Sequence, residues 1–457
     1  MPIPLGSTCI FVATEFMEIV LVTLFLLGYL VISTEHVHRI DKMIPALLMM
    51  VLAWGLLLMM PFAMEQWLNP SNEVLTTLTG NSEARVSLMQ ATLMHHLGKT
   101  AEILMFLIGA MTLVELIDHF DGFKAVLPLI KTRKKYTLLW VLCLLAFFLS
   151  AIIDNLTTTL VMIAVYRKLV HKAEDRLWYA GFVVIAANAG GAWSPIGDVT
   201  TTMLWIGQKI SIAPLMIETF LPSLLCMVVP LVIARWLPVF QGELTVPEEK
   251  GNSKGRTELL LGIGFFLLVP VLKAVVHLPP YMGMLFVLGL FALYAEWKSN
   301  RTFKLTEFNE EQKPYSPTMK SLEKVELPTI LFFLGILLTV AALESMGMIL
   351  QLGQSVQEAG ISTSVFMGIL GIASAIIDNV PLVAGAMGMF PFPMDHEAWH
   401  LLAYTAGTGG SILIIGSAAG VVAMGMEKIS FTWYLKRIAP LAFLGYTVGY
   451  LLMLLNL

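Results

Sequence analysis

A six-residue block occurs twice in the chain. Ser150-Ala-Ile-Ile-Asp154-Asn155 returns letter for letter as Ser374-Ala-Ile-Ile-Asp378-Asn379, 224 positions later. Downstream, Gly190-Gly191-Ala192 and Ile196-Gly197-Asp198 align with Gly409-Gly410-Ser411 and Ile415-Gly416-Ser417 at a spacing of 219. Asp154 follows thirteen residues, Val141 to Ile153, in which Ser150 supplies the only hydroxyl and there is no amide or charge. An acid in such surroundings costs on the order of 2.5–3.5 kcal/mol at the centre of a membrane helix, so something must offset it. The nearby candidates are neutral oxygen donors: Asn155, Thr157, Thr158 and Thr159, then Asn188, Thr200, Thr201 and Thr202, with Asp198 as a second acid. Carboxylate, amide, hydroxyl and freed carbonyl oxygens are ligands for hard cations, and a small alkali cation suits this set. Two buried carboxylates near one site can also exchange protons for a cation at physiological pH, which is the physical basis of antiport.

The elements that must position these residues lie in a membrane. Of 457 residues, 57% are apolar and only 13% charged, where soluble domains carry about 25% charged residues. A mean hydropathy of +0.79 agrees. The apolar runs are continuous, as in Ile19–Ile32 and Tyr136–Ile153, which excludes the alternating strands of an outer-membrane barrel. A net charge of −4 makes no case for nucleic acid as a partner. Cys9, Cys143 and Cys226 lie in apolar stretches without metal-ligand spacing and read as buried thiols. No Lys or Arg precedes Arg39, so the first apolar segment is expected to be retained rather than cleaved.

A helix crossing about 30 Å of hydrocarbon needs roughly 20 apolar residues. Uninterrupted candidates are 15–33, 43–61, 100–117, 211–234, 258–276, 280–296, 327–346 and 432–455. Four further segments are broken near their middles: 136–166 at Asp154-Asn155, 177–208 at Asn188–Asp198, 361–390 at Asp378–Pro381, and 398–425 at Gly407–Ser417. Irregular backbone at membrane depth is tolerated only where protein or a water-filled cavity covers it, and repeated breaks point to a transport site.

Charge orients the chain. Segments 34–43, 118–135, 167–176, 235–257, 297–326 and 426–438 hold 24 of the 28 Lys and Arg residues, so they are assigned to the cytoplasm. Segment 136–166 then has basic flanks at both ends and must be a re-entrant hairpin. Segment 361–390 has no Lys or Arg within ten residues of either end and enters from outside. The expected fold is an all-α polytopic membrane protein of two inverted-topology repeats, each with a re-entrant hairpin and a broken transmembrane helix. Its parts are scaffold helices in 1–135, a first hairpin and broken helix in 136–208, a connecting helix in 209–237 and a cytoplasmic linker in 238–257. Second scaffold helices follow in 258–360 with a cytoplasmic loop at 297–326, then a second hairpin and broken helix in 361–425, and a final helix in 426–457 ending on the outer side.

The two repeats differ where the chemistry is. Both tips keep Asp-Asn, yet Asp198 is matched by Ser417 and Asn188 by Gly407. The first half therefore carries the metal-binding carboxylates, with Asp378 and Asn379 completing the cavity from the opposite tip.

The paired tips and the run Asn188-Ala-Gly-Gly-Ala-Trp-Ser-Pro-Ile-Gly-Asp198-Val-Thr-Thr-Thr-Met resemble the NhaD-type sodium/proton antiporters of the ion transporter superfamily. The resemblance covers nearly the whole chain. It implies exchange of cytoplasmic Na⁺ or Li⁺ for external H⁺ without a cofactor, in the inner membrane, by a homodimer in which transport and scaffold domains move against each other. Family positions carry over onto Asp154, Asn188, Asp198, Thr200 and Thr201, and further onto Ser374, Asn379 and Ser411. With Asn155, Thr158, Asp378 and Ser417 these make the expected ion-binding set, Asp154 and Asp198 being its charged ligands. The superfamily's carboxylate transporters resemble this chain less, because they carry Ser-Asn-Thr at the tips.

Plainer readings stand beside these. Asp154 and Asp198 could cap half-helices, and the threonines could bond back to their own helices. His95 and His96 precede Glu102, where residues 84–98 read as an interfacial amphipathic helix. His396-Glu397-Ala398-Trp399-His400 fits the His-Glu-x-x-His zinc pattern but reads as a polar helix start. An anion transporter on the same scaffold and a membrane metalloprotease are the rival functions.

Overall fold

The computed structural model describes residues 5–38, 40–62, 64, 66–69, 74–78, 81–123, 125, 132–244, 255–302 and 316–456. Regular structure among them is helical, apart from one antiparallel pair, Gln66–Asn69 with Val74–Thr77, and an isolated bridge from Lys134 to Glu243. Hydropathy gives no sign of that strand pair. Among the described residues six helices are long and apolar enough to cross a membrane: Thr14–Ile32, Ser82–His119, Ile212–Ala234, Arg256–Val276, Pro280–Ser299 and Leu327–Ser345. Met43–Met59 fills the segment expected at 43–61 with 17 residues.

Three expectations are corrected. The interfacial helix at 84–98 and the crossing at 100–117 are one helix, Ser82–His119, of 38 residues. At 1.5 Å per residue it is about 57 Å long, and its Ala, Leu, Met and Glu content offers no stopping point. The crossing at 432–455 is two helices, Phe431–Arg437 and Ala439–Asn456, bent by 50°. Pro440 lacks an amide proton and disfavours helical geometry in the residue before it, so the bend falls there. The loop at 297–326 is partly helical, since Pro280–Thr302 runs into it and Pro317–Glu323 is capped by Ser316. Residues 303–315 of that loop and 245–254 of the 238–257 linker lie outside the described residues, as does the side chain of Cys9. Cys143 and Cys226 are buried free thiols.

The chain divides into two compact units. One comprises Met1–Leu104, Glu326–Phe366 and Val380–Pro393. In it Gly335 sets Leu327–Ser345 against Met43–Met59, since a Cβ there would stand 2.6 Å from the Ala46 carbonyl carbon. Trp54 crosses the same seam and donates its indole N–H to the Leu338 carbonyl at 2.8 Å.

The second unit comprises Met105–Val325, Met367–Asn379 and Met394–Leu457, and holds both repeated motifs. The first hairpin is Lys135–Ser150, a tip, and Asn155–Leu169; the first broken helix is Ala173–Gly191, a break, and Val199–Ile206. Both ends of the hairpin meet the start of the broken helix. Lys135 pairs with Asp175 at 2.8 Å, while Arg167 and Arg176 hold the two oxygens of Glu427 at 2.6 and 2.9 Å. The tip lies at the other end, about 28 Å away along 19 residues, where Ser150 donates to the Ala187 carbonyl at 2.6 Å. The segment 136–166 thus goes in and comes back.

The second hairpin, Thr363–Ala373 and Asn379–Met389, returns likewise, for the rings of Phe366 and Phe390 meet edge to face, centroids 5.8 Å apart, where its ends come together. Its broken helix is Glu397–Gly409 and Ala418–Glu427. Repeat equivalence extends to the close backbone contacts. A Cβ on Gly190 would collide with the Phe147 carbonyl, and one on Gly409 with the Gly371 carbonyl, the same positions 219 and 224 residues on. Gly197 and Gly416 press likewise on Ser150 and Ala375, each with a Cβ 2.5 Å from the carbonyl oxygen. Ser374 repeats the Ser150 bond by donating to the Ala406 carbonyl at 3.1 Å.

Glu427 ties the second broken helix to the first hairpin. Its side chain is 2% exposed and carries both arginines. Glu427→Gln leaves both arginines without their shared counter-charge, at a cost of about 1–3 kcal/mol. The expected result is a lower unfolding midpoint of the purified protein, and an unchanged midpoint removes the clamp.

Candidate functional site

The breaks place half-helix ends face to face. Lys135–Ser150, Ala173–Gly191 and Glu397–Gly409 arrive carbonyl-first, with partial negative charge, and Asn155–Leu169, Val199–Ile206 and Ala418–Glu427 leave amide-first. In the first repeat a carboxylate covers each amide end. Asp154 accepts from the Thr157 amide at 2.7 Å and the Thr157 hydroxyl at 2.8 Å. Asp198 accepts from the Thr200 amide at 2.9 Å and the Thr200 hydroxyl at 2.8 Å. Capping, the plainer role, is present at both acids. In the second repeat Ser417 accepts from the Gly420 amide at 3.2 Å.

Asp198 does more than cap. It is 2% exposed, and its second oxygen accepts from Asn155 of the first tip at 2.7 Å. Asn379 of the second tip reaches its first oxygen at 3.5 Å. Asn155 also donates to Asn188 at 3.3 Å, and Asn188 donates to Ser417 at 3.1 Å. One buried carboxylate thus gathers the tip asparagines of both repeats, and Asn188 joins the two breaks. Asp154 and Asp378 lie within electrostatic reach of Asp198. Among the described residues no Lys or Arg donates to Asp198.

The sequence-derived set therefore separates. Asn155, Asn188, Asp198, Thr200, Asn379 and Ser417 form one hydrogen-bonded network. Thr158 stands on the same first turn as Asn155, fully buried, with no hydrogen-bond partner for its hydroxyl. The hydroxyls of Thr201, Ser374 and Ser411 are engaged by backbone carbonyls of Asp198, Gly371 and Thr408 at 3.0, 2.8 and 2.7 Å. Two residues outside the set matter for shape. Ser150 is the repeat partner of Ser374 and could have been found by that symmetry. Tyr434 donates to the Ser411 carbonyl at 2.7 Å, and no local signal marks it.

The His-Glu-x-x-His segment takes another form. The His396 ring accepts from the Ala398 amide at 3.2 Å, capping Glu397–Gly409. His400 is buried between Glu218, at very short range, and Asp395 at 3.4 Å. Among the described residues no group of three or more His, Cys, Asp or Glu side chains could hold a metal ion.

A sequence model of the citrate transporter family matches residues 29–406. A Vibrio cholerae protein named Na⁺/H⁺ antiporter NhaD is 31% identical over 457 aligned positions, covering 94% of this chain and 90% of that protein. The chain belongs to the NhaD-type sodium/proton antiporters of the citrate transporter family. Sodium/proton antiporter 1 of Arabidopsis thaliana is 45% identical over 365 positions, 78% of this chain, though the match spans only 62% of that protein's length. The crystallised YdaH transporter of Alcanivorax borkumensis shares the fold, with a TM-score of 0.58, 10% identity, and coverage of 89% of this chain and 97% of that one. The NhaD-type chain is thus a nearly all-helical, multi-pass membrane protein with the fold of that transporter.

Proposed function

We propose that this protein exchanges Na⁺ or Li⁺ for H⁺ across the membrane at Asp198. The observation that carries the reading is the buried Asp198 carboxylate, bonded to an asparagine from each tip with no cationic partner among the described residues. A buried carboxylate without a counter-charge favours taking up a cation or a proton, and either one leaves the site neutral. The neutral amides of Asn155, Asn188 and Asn379 and the hydroxyls of Thr158 and Thr200 are the oxygen sources at hand. Asp154 and Asp378, also acidic and close by, add attraction for a cation.

Competition follows directly. Sodium bound at Asp198 excludes a proton there, and a protonated Asp198 cannot hold sodium, so the two ions cross in opposite directions. The loaded, neutral site is the one suited to cross between faces, because an empty charged site bears the cost of burial. In this reading the hairpins and broken helices move elevator-like against the remaining helices, in a homodimer of the inner membrane. Na⁺ leaves the cytoplasm as H⁺ enters, and the C-terminus faces outward.

The family's description as citrate transporters makes an anion the second reading. It is disfavoured because the amide ends that attract an anion are already covered by Asp154 and Asp198 in the first repeat. The test uses everted vesicles with an acid-trapped fluorescent dye. Na⁺ and Li⁺ are expected to restore fluorescence by drawing protons out, and K⁺ and citrate are not. Dequenching by citrate alone, with none by Na⁺ or Li⁺, replaces this reading with the anion one.

A further inference from the structure

A cavity of about 540 Å³ opens beside the first turns of Ala173–Gly191, at the far end of that helix from the break. Leu177 and Trp178 line it from that helix, the turn 237–239 forms another wall, and Trp433 and Arg437 come from Phe431–Arg437. Trp178 and Trp433 meet at 78° with ring centroids 5.3 Å apart, so the two rings make a corner. Aromatic faces arranged this way attract an alkylammonium group. Glu174 adds a carboxylate to the lining of the same cavity.

Arg437 lines it too, yet Glu174 and Arg437 pair neither with each other nor with another described residue. Two opposite charges at one cavity, each unpaired, suit an occupant that carries both. Leu177 and Leu237 supply apolar wall next to the charges. Depth is set by the neighbours: the turn follows the crossing Ile212–Ala234, and Trp236 beside it is 68% exposed, as tryptophans at a membrane–water boundary are.

We propose that this cavity binds a zwitterionic phospholipid. The headgroup ammonium sits in the Trp178–Trp433 corner beside Glu174, the phosphate pairs with Arg437, and the chains leave along Leu177 and Leu237. An anionic lipid loses the Glu174 contact and meets repulsion there instead. A free phosphoamine loses the apolar wall. Since the occupant touches the start of the first broken helix, lipid composition becomes a variable of that helix's stability.

The test compares phosphatidylethanolamine, phosphatidylglycerol and water-soluble glycerophosphoethanolamine on the delipidated full chain, by native mass spectrometry and unfolding midpoint. Phosphatidylethanolamine is expected to be retained and to raise the midpoint, with the other two at least about tenfold weaker. Arg437→Gln and Trp433→Leu each lower phosphatidylethanolamine retention about tenfold. Should Trp433→Leu fold poorly, Glu174→Gln with Arg437→Gln, both at exposed positions, asks the same question. Equal binding of the two lipids, equal binding of the soluble headgroup, or full retention in the double variant overturns the proposal.

Discussion

Asp198→Asn abolishes Na⁺-induced dye dequenching in everted vesicles while the protein still accumulates in the membrane. The substitution keeps the shape of the side chain, and Asn caps a helix as well as Asp, so Val199–Ile206 retains its start. What disappears is the charge that binds Na⁺ and H⁺ in turn. Losing a charge-assisted contact costs about 3 kcal/mol, a fall in exchange of roughly a hundredfold. Asp154→Asn also keeps its cap, on Thr157, and removes a charge within reach of Asp198. It is expected to weaken Na⁺ affinity by a smaller factor. Wild-type exchange by Asp198→Asn ends the assignment of the site.

Gly409→Ala strongly destabilises the fold, and Gly425→Ala does not. A Cβ at Gly409 collides with the Gly371 carbonyl oxygen and stands 2.6 Å from the Ser374 hydroxyl, while at Gly425 it meets nothing within 4 Å. The first contact joins the second tip to the second broken helix, backbone against backbone, and no rotamer relieves it. The expected cost is about 3 kcal/mol, the severe end of overpacking. At Gly425, inside Ala418–Glu427, alanine is expected to be neutral or to stabilise by about 0.5–1 kcal/mol. Membrane yield and the unfolding midpoint of both variants check this, and equal midpoints would falsify the close-approach reading. Gly190→Ala is the same experiment in the first repeat, where the obstacle is the Phe147 carbonyl.

Much of this was legible in the sequence because it is written in local chemistry. The identity of Ser150–Asn155 with Ser374–Asn379 marks two tips, the lack of Lys and Arg in the broken segments marks a cation site, and the basic flanks of 136–166 mark a hairpin. Each signal depends on one residue's type and its neighbours. Helix limits were less legible. Nothing near Gly98 stops Ser82–His119, and the bend before Pro440 hides inside an apolar run that reads as one crossing.

By itself, then, the sequence determined the class, the repeats, the breaks and the acids. Only the tertiary structure decided which groups meet. Asn379 turns to Asp198 rather than to Ser417, the equivalent of Asp198 in its own repeat, and Asn188 reaches across to Ser417. Ser374 and Ser411 give their hydroxyls to backbone carbonyls. These pairings join residues up to 229 positions apart. They exist because glycine-sized gaps at Gly190, Gly197, Gly409 and Gly416 let hairpin and helix backbones approach closely. Residue type and spacing fix what a side chain is able to do; close packing of the backbones fixes what stands opposite it.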